Sequence, residues 1–432
     1  MKNELQPIQL SSDFKAALDV LEKTNTNVFV TGRAGTGKST LLQLFRNTTK
    51  KKVVVLAPTG IAALNVQGVT IHSFFRFPGK PLSRSEVKKV RYNKLYQKVD
   101  AIIIDEISMV RADMIDNMDA FMRLNGRQPG LPFGGVQMIF FGDLFQLPPV
   151  VSSEPERQLF KTFYDSPYFF SAKVFEHNFE MEMLELYQTY RQKSRHFIRL
   201  LDAIRLNHAD YDDLEDLNER YIEDFESLDD FYITLSPRNA TVNAINKSEL
   251  KKLDTEERSY AAKVSGFFDE RRFPTDAILN LKMGAQVMFI KNDPEKKFVN
   301  GTIGKVVELE PDSIKVMVEN EAGLQKVIKV EKLEWEILKY KVNEKSEIES
   351  DVVGSFTQYP LRLAWAVTIH KSQGKTFDKT IIDLGKGAFE SGQTYVALSR
   401  CRTLRGIVLK RKITPRDVMI DDRIVEFYER GR

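Results

Sequence analysis

The stretch that most limits what this chain can fold into is Gly32–Thr40, GRAGTGKST. It follows an apolar run, Asn27–Thr31, and opens a helix-forming run from Leu41. A Gly-x-x-x-x-Gly-Lys-Ser motif at a strand–loop–helix junction turns backbone N–H groups inward around a phosphate. The helix start adds its positive dipole end. Lys38 supplies a full charge to the β- and γ-phosphates, and the Ser39 hydroxyl suits Mg²⁺. The motif predicts a nucleoside triphosphate site built from Gly35, Thr36, Gly37, Lys38, Ser39 and Thr40.

The 432 residues leave room for two or three domains, and 42% hydrophobic with 29% charged residues is a globular composition. No apolar run is long enough to span a bilayer. The amino-terminal stretch MKNELQPIQL lacks the features of a secretory signal. A single cysteine, Cys401, excludes a disulfide framework and a cysteine-based metal cluster, and the five histidines are scattered. The natural expectation is a soluble, cytoplasmic protein. A net charge of +4 permits a nucleic-acid partner without demanding one.

Further apolar runs mark a parallel sheet. Val53–Leu56 reads as a second strand. The segment Ala57–Phe75 follows it, at the carboxyl end of a strand, where open α/β sheets bind ligands. Thr59, Asn65, Thr70, His72 and Ser73 could meet phosphates while Phe74, Phe75 and Phe77 stack on bases. Equally, the three phenylalanines could be core and His72 an interior histidine, which spacing alone favours. Arg84–Lys98 reads as a polar surface helix. Asp100–Met109 holds a third strand ending in Asp105-Glu106, where Asp105 would hold Mg²⁺ and Glu106 would polarise the attacking water. Val136–Phe141 is a fourth strand. Gln146, just beyond it, could contact a γ-phosphate or could belong to a plain strand exit.

The second half starts another α/β unit without its own phosphate loop. Met181–Leu186 and Phe231–Leu235 read as strands, and Ser194–Leu206 as an amphipathic helix. The acidic stretch Asp210–Asp230 reads as a solvated face. From about residue 291 to 355, short alternating strands with glycine turns predict a small inserted β-barrel. Leu363–Ile369, Lys379–Leu384 and Gly406–Lys410 return to parallel-strand character, and Asp421–Glu429 closes with a helix.

In order along almost the whole chain, these segments resemble superfamily-one helicases, and among them the petite-integration-frequency (Pif-type) DNA helicases. The matching stretches are GRAGTGKST (32–40), APTGIAALNVQGVTIHSFF (57–75), IIIDEISMV (102–110), FFGDLFQLPPV (140–150), LELYQTYRQ (184–192), LKMGAQVMFIKND (281–293), VNGTIGKV (299–306), AVTIHKSQGKTFD (366–378) and YVALSRCR (395–402). The resemblance implies an α/β fold of two RecA-like parallel-sheet domains with ATP between them, a small inserted β-barrel and a short wedge insertion. It assigns 1–180 to the first domain with the wedge near 64–78. Residues 181–290 begin the second domain, 291–355 form the barrel, and 356–432 complete the second domain and its last helix.

The same resemblance implies roles for single residues. Arg191 and Arg400 match two arginines that reach the γ-phosphate, Gln146 matches a γ-phosphate sensor, and Gly374 a nucleotide contact. With Lys38, Asp105 and Glu106 these form the expected catalytic set. Thr59, Gly60, Asn65, Thr70 and His72 match a DNA-facing strip. Asn300, Gly301, His370, Lys371 and Ser372 match further DNA contacts. The family's adenine-reading glutamine is replaced by Phe14, with Gln9 a substitute. The short stretch before the motor favours a minimal bacterial or phage-like member. The implied activity is ATP- and Mg²⁺-dependent, 5′-to-3′ unwinding of duplex and G-quadruplex DNA by a monomer. A RecD-like or phage helicase, an RNA helicase and a non-motor nucleotide switch are the alternatives.

Overall fold

The computed structural model describes residues 11–78, 82–151, 153–176, 179–225, 231–293, 295, 297–319 and 323–431. Its first layer is a six-stranded sheet in the order Val69–Thr70, Val53–Ala57, Ala101–Ile104, Gln137–Phe141, Asn27–Gly32, Met181–Leu186. Every pairing in it is parallel. Parallel strands covered on both faces read as continuous apolar runs, and side chains alternate between the two cores. Phe29 packs with Phe169 and the helix Ala112–Asn125 on one face. Val28 and Val30 meet Leu41, Leu42 and Phe45 of the helix Lys38–Thr48 on the other.

A second parallel sheet runs Ala366–Thr368, Ile233–Ser236, Thr380–Ile382, Ile407–Leu409. Helices Arg195–Arg205 and Gln393–Ser399 share its core. Two parallel-sheet domains are therefore present, as expected, but several boundaries differ. Met181–Leu186, placed by sequence in the second domain, pairs along its whole length with Asn27–Gly32. The helix Asp422–Arg430, also expected in the second domain, buries Ile424 and Tyr428 in the first domain's core. There the Tyr428 hydroxyl shares a 2.5 Å hydrogen bond with Thr31 Oγ1.

The all-β insertion is larger than 291–355. Gln325–Val330, Ser313–Glu319, Ile303–Glu310, Gln286–Phe289 and Leu361–Leu363 form an antiparallel sheet in that order, and no pairing joins its end strands among the described residues. Beside it, a long hairpin, Leu333–Val342 with Ile348–Gln358, pairs with Lys263–Gly266. The hairpin reaches the first domain. Val55 N–H donates to the Tyr340 hydroxyl at 3.1 Å, and Lys52 Nζ donates to the Ser346 carbonyl at 2.8 Å.

Residues 64–78 do not form a projecting wedge. Val69–Thr70 is the edge strand of the first sheet, and Ile71, Phe74 and Phe75 are core. Arg84–Lys98 is not one helix but a short turn, Arg84–Glu86, and a five-residue helix, Lys94–Lys98. Among the helices that carry no expectation from the sequence are Ala112–Asn125 and Glu154–Phe163. Gln9 lies outside the described residues, as do 226–230 of the acidic stretch. Among the described residues, no helix is long and apolar enough to cross a membrane.

Candidate active site and nucleic-acid groove

The phosphate loop leaves the first sheet at Gly32 and feeds the Lys38–Thr48 helix, and the opposite wall is the second domain. Between them lies a cleft of about 480 Å³. Every residue expected in catalysis or nucleotide binding lines it: Gly35 through Thr40, Asp105, Glu106, Gln146, Arg191, Gly374 and Arg400.

Lys38 Nζ donates to its own loop, to the carbonyls of Gly32 at 2.7 Å and Arg33 at 2.9 Å. Desolvation lowers its pKa to about 8, against the attraction of Asp143 and Glu106. Asp105 and Glu106 are both held above the usual carboxylate range, first by burial. For Asp105 the neighbouring Glu106 charge adds to this. Two crowded carboxylates beside a hydroxyl, Ser39, form a donor set that a hard divalent cation satisfies. Glu106 sits in left-handed backbone conformation, with φ of 52°. Such strain in a bulky residue clusters at functional sites.

Gln146 is fixed from behind. Its Nε2 donates to Asp143 at 3.3 Å, and buried Asp143 is in turn ion-paired at 3.0 Å to buried Arg205. Arg205 also lies 4.2 Å over the Phe145 ring. It arrives on the Arg195–Arg205 helix, so the sensor loop is tied to the second domain.

The two arginines converge from different elements. Tyr190 N–H donates to the Gly35 carbonyl at 2.9 Å, which lays Arg191 on the phosphate loop itself. A Cβ at Gly35, where φ is +85°, would lie 2.6 Å from Arg191 Cβ. Arg191 Nη1 donates to the Ser399 carbonyl at 3.1 Å, and Arg400 Nε to the Val396 carbonyl at 2.9 Å. Burial lowers Arg191 to about 9, with Arg400's charge adding to it, and lowers Arg400 to about 10. Neither forms an ion pair among the described residues. Two desolvated guanidiniums without a counter-ion make a site for an anion.

A second cleft, of about 240 Å³, opens on the other side of Glu106. It joins Thr59 and Asn65 of the first domain, Asn300 of the β insertion, and His370 and Lys371 of the second domain. These are five of the ten residues expected to face DNA. Thr70 and Ser372 are corrections. Thr70 is buried and caps the next helix by accepting from Ser73 N–H at 3.2 Å. Ser372 is fully buried, and its hydroxyl donates to the Ile369 carbonyl at 2.7 Å. Gly60, His72 and Gly301 lie outside the cleft. Gly60 sits beneath Arg272, and Gly301 packs on the Thr376 backbone. His72 is half-buried, with its pKa lowered by burial and then by Arg111 and Arg272.

The structure also adds residues to both sites. Phe14, Tyr190, Thr376 and Arg402 line the nucleotide cleft, and Trp335, Arg362 and Lys375 the second. Phe14, at the position expected for an adenine-reading glutamine, is buried, and its ring and that of Tyr190 both lie close to Gly37. In the second cleft, Lys375 is lowered to about 8 by burial and then by Arg362 and Arg400. Arg362 and Lys371 are lowered by burial as well. Crowded cations along an open groove suit a polyanion. Signals for some of these existed: Tyr190 adjoins Arg191, Arg362 interrupts an apolar strand, and Trp335 is one of only two tryptophans.

Comparison with known proteins agrees with this geometry. A PIF1-like helicase family model matches residues 9–214, and a model of the 2B domain of the DNA helicase Pif1 matches 270–309. An ATP-dependent DNA helicase Pif1 of Bdellovibrio bacteriovorus is 34% identical, over 98% of this chain and 92% of its own. The chain belongs to the Pif1-like helicase family. Among solved family members, an unliganded Pif1 from Bacteroides is 40% identical with a TM-score of 0.88, covering 98% of this chain and 97% of that one. The Bacteroides Pif1 bound to single-stranded DNA is 39% identical with a TM-score of 0.69 over the same shares.

Proposed function

We propose that this chain moves 5′ to 3′ along single-stranded DNA and opens the duplex, and G-quadruplexes, ahead of it. Family membership makes it an ATP-dependent DNA helicase. One observation carries the motor reading: Glu106 lines both the nucleotide cleft and the cationic groove, so hydrolysis and strand binding share a wall. A plain nucleotide switch has no need of that second groove.

Ser39 and Asp105 would hold Mg²⁺, which when bound would supply positive charge to offset the negative charge of the phosphates. Lys38 exchanges its two carbonyl partners for phosphate oxygens. Arg191 and Arg400 gain the anion they lack, which draws the second domain onto the first. Glu106 orients the attacking water, and Gln146, braced by Asp143, contacts the γ-phosphate side. In the groove, Lys371, Lys375 and Arg362 meet phosphates while Thr59, Asn65 and Asn300 offer hydrogen bonds, a sugar-tolerant and sequence-blind set. The greater likeness to the unliganded Bacteroides protein than to its DNA-bound form supports domain movement on strand binding. The protein acts as a monomer associated with the nucleoid.

The test is ATPase rate with and without single-stranded DNA, alongside unwinding of duplexes bearing a 5′ or a 3′ tail. Stimulation with unwinding from the 5′ tail alone is expected. Preference for the 3′ tail would reject the direction, and absence of stimulation would reject the motor.

A further inference from the structure

Glu106 makes its side-chain hydrogen bond across the domain boundary. Gln373 Nε2 donates to Glu106 Oε2 at 2.9 Å. Gln373 lines the groove and not the nucleotide cleft. The carboxylate assigned to water activation is therefore held from the groove side. The other end of the same amide, Gln373 Oε1, is buried without a hydrogen-bond partner in the described structure. A buried acceptor left unmatched is costly, so this amide orientation is not one that Gln373 prefers on its own account. Its neighbours point both ways: His370 and Lys371 line the groove, and Gly374 lines the nucleotide cleft.

From this geometry, and resting on the motor reading above, we propose that Gln373 is the positioning residue that ties Glu106's orientation to occupancy of the groove. With the groove empty, the amide draws Oε2 toward the groove, away from a water attacking the γ-phosphate. A strand entering beside Lys371 changes both partners. Its phosphate oxygens accept from Gln373 Nε2 in place of the carboxylate. Its negative charge also repels Glu106, which swings toward Lys38 and Arg400, the cations that already attract it. Hydrolysis is then slow until DNA is present. No covalent step involves Gln373.

The experiment compares wild type with Gln373→Met, which keeps the length of the side chain and removes the donor, and with Gln373→Asn, which keeps the amide but shortens its reach. ATPase is measured with and without a thymidine oligonucleotide, together with KM for ATP and oligonucleotide affinity by anisotropy at low salt. Loss of one hydrogen bond to a charged group corresponds to about a tenfold change in rate. Both variants should therefore raise the DNA-free kcat by about tenfold. The rate with DNA and KM for ATP should stay near wild type, so the stimulation ratio falls. If wild type is stimulated and both variants keep its ratio, or lose both rates in parallel, Gln373 does not position Glu106. If wild type itself shows no stimulation, the motor reading fails first. Gln373→Asn guards against a folding defect peculiar to Met, because either variant alone carries the expected ratio change.

Discussion

At the scale of single residues, the nucleotide cleft is a set of charges kept apart from their natural partners. Lys38 bonds to its own loop, Arg191 and Arg400 form no ion pair among the described residues, and Asp105 and Glu106 crowd one another. Arg400→Ala should lower DNA-stimulated ATPase by about a thousandfold or more, in line with other arginine fingers. Oligonucleotide affinity at low salt should persist, and collapse of affinity with intact ATPase would reverse the assignment. In the groove, Lys371→Ala should weaken binding to all sequences alike. The slope of log affinity against log salt should fall by about 0.7 if Lys371 neutralises one phosphate; a titration that leaves the slope unchanged removes Lys371 from the backbone track. Motif spacing names Lys38, Asp105 and Glu106 in the sequence, whereas Arg191, Arg400 and Lys371 were legible only through the family resemblance. Lys375 was not legible, because only folding brings it beside Arg362 of strand 361–363 in the β insertion.

Among elements, legibility followed burial. Strands that read as unbroken apolar runs fell where the pattern placed them, as Val53–Ala57 and Gln137–Phe141 show. The Ala112–Asn125 helix escaped because its buried face is partly polar. Asp116 accepts from Val174 and Lys173 N–H and from the Tyr164 hydroxyl, and Asp119 accepts from Phe133 N–H. Those partners lie 14 to 58 residues away, so local periodicity cannot reveal them. The helix Gln393–Ser399 shows how closely elements of the two domains approach. Gly392 before it has φ of +73°, and a Cβ there would lie 2.4 Å from the Gln146 carbonyl oxygen. Gly392→Ala should therefore push Arg400's helix off the sensor loop. The expected result is a loss of stability of about 1–3 kcal/mol, as for other overpacked sites, with reduced kcat. Unchanged melting and turnover would show that the loop gives way freely.

On the scale of the whole molecule, contacts distant in sequence overruled the expected domain limits. The hairpin from Leu333 to Gln358 leaves the β insertion and clasps the first domain through Tyr340 and Ser346. Tyr340→Phe removes the hydroxyl that receives Val55 N–H and should cost about 1 kcal/mol. Denaturant titration would detect it, whereas an unshifted midpoint would make the clasp an apolar contact alone. The last helix has a different consequence. Tyr428 closes on Thr31, 397 residues earlier, so the core behind the phosphate loop stays unfinished while the chain is being made. A ribosome that stalls late in the message would release a protein with every catalytic motif translated and a nucleotide domain still missing one wall.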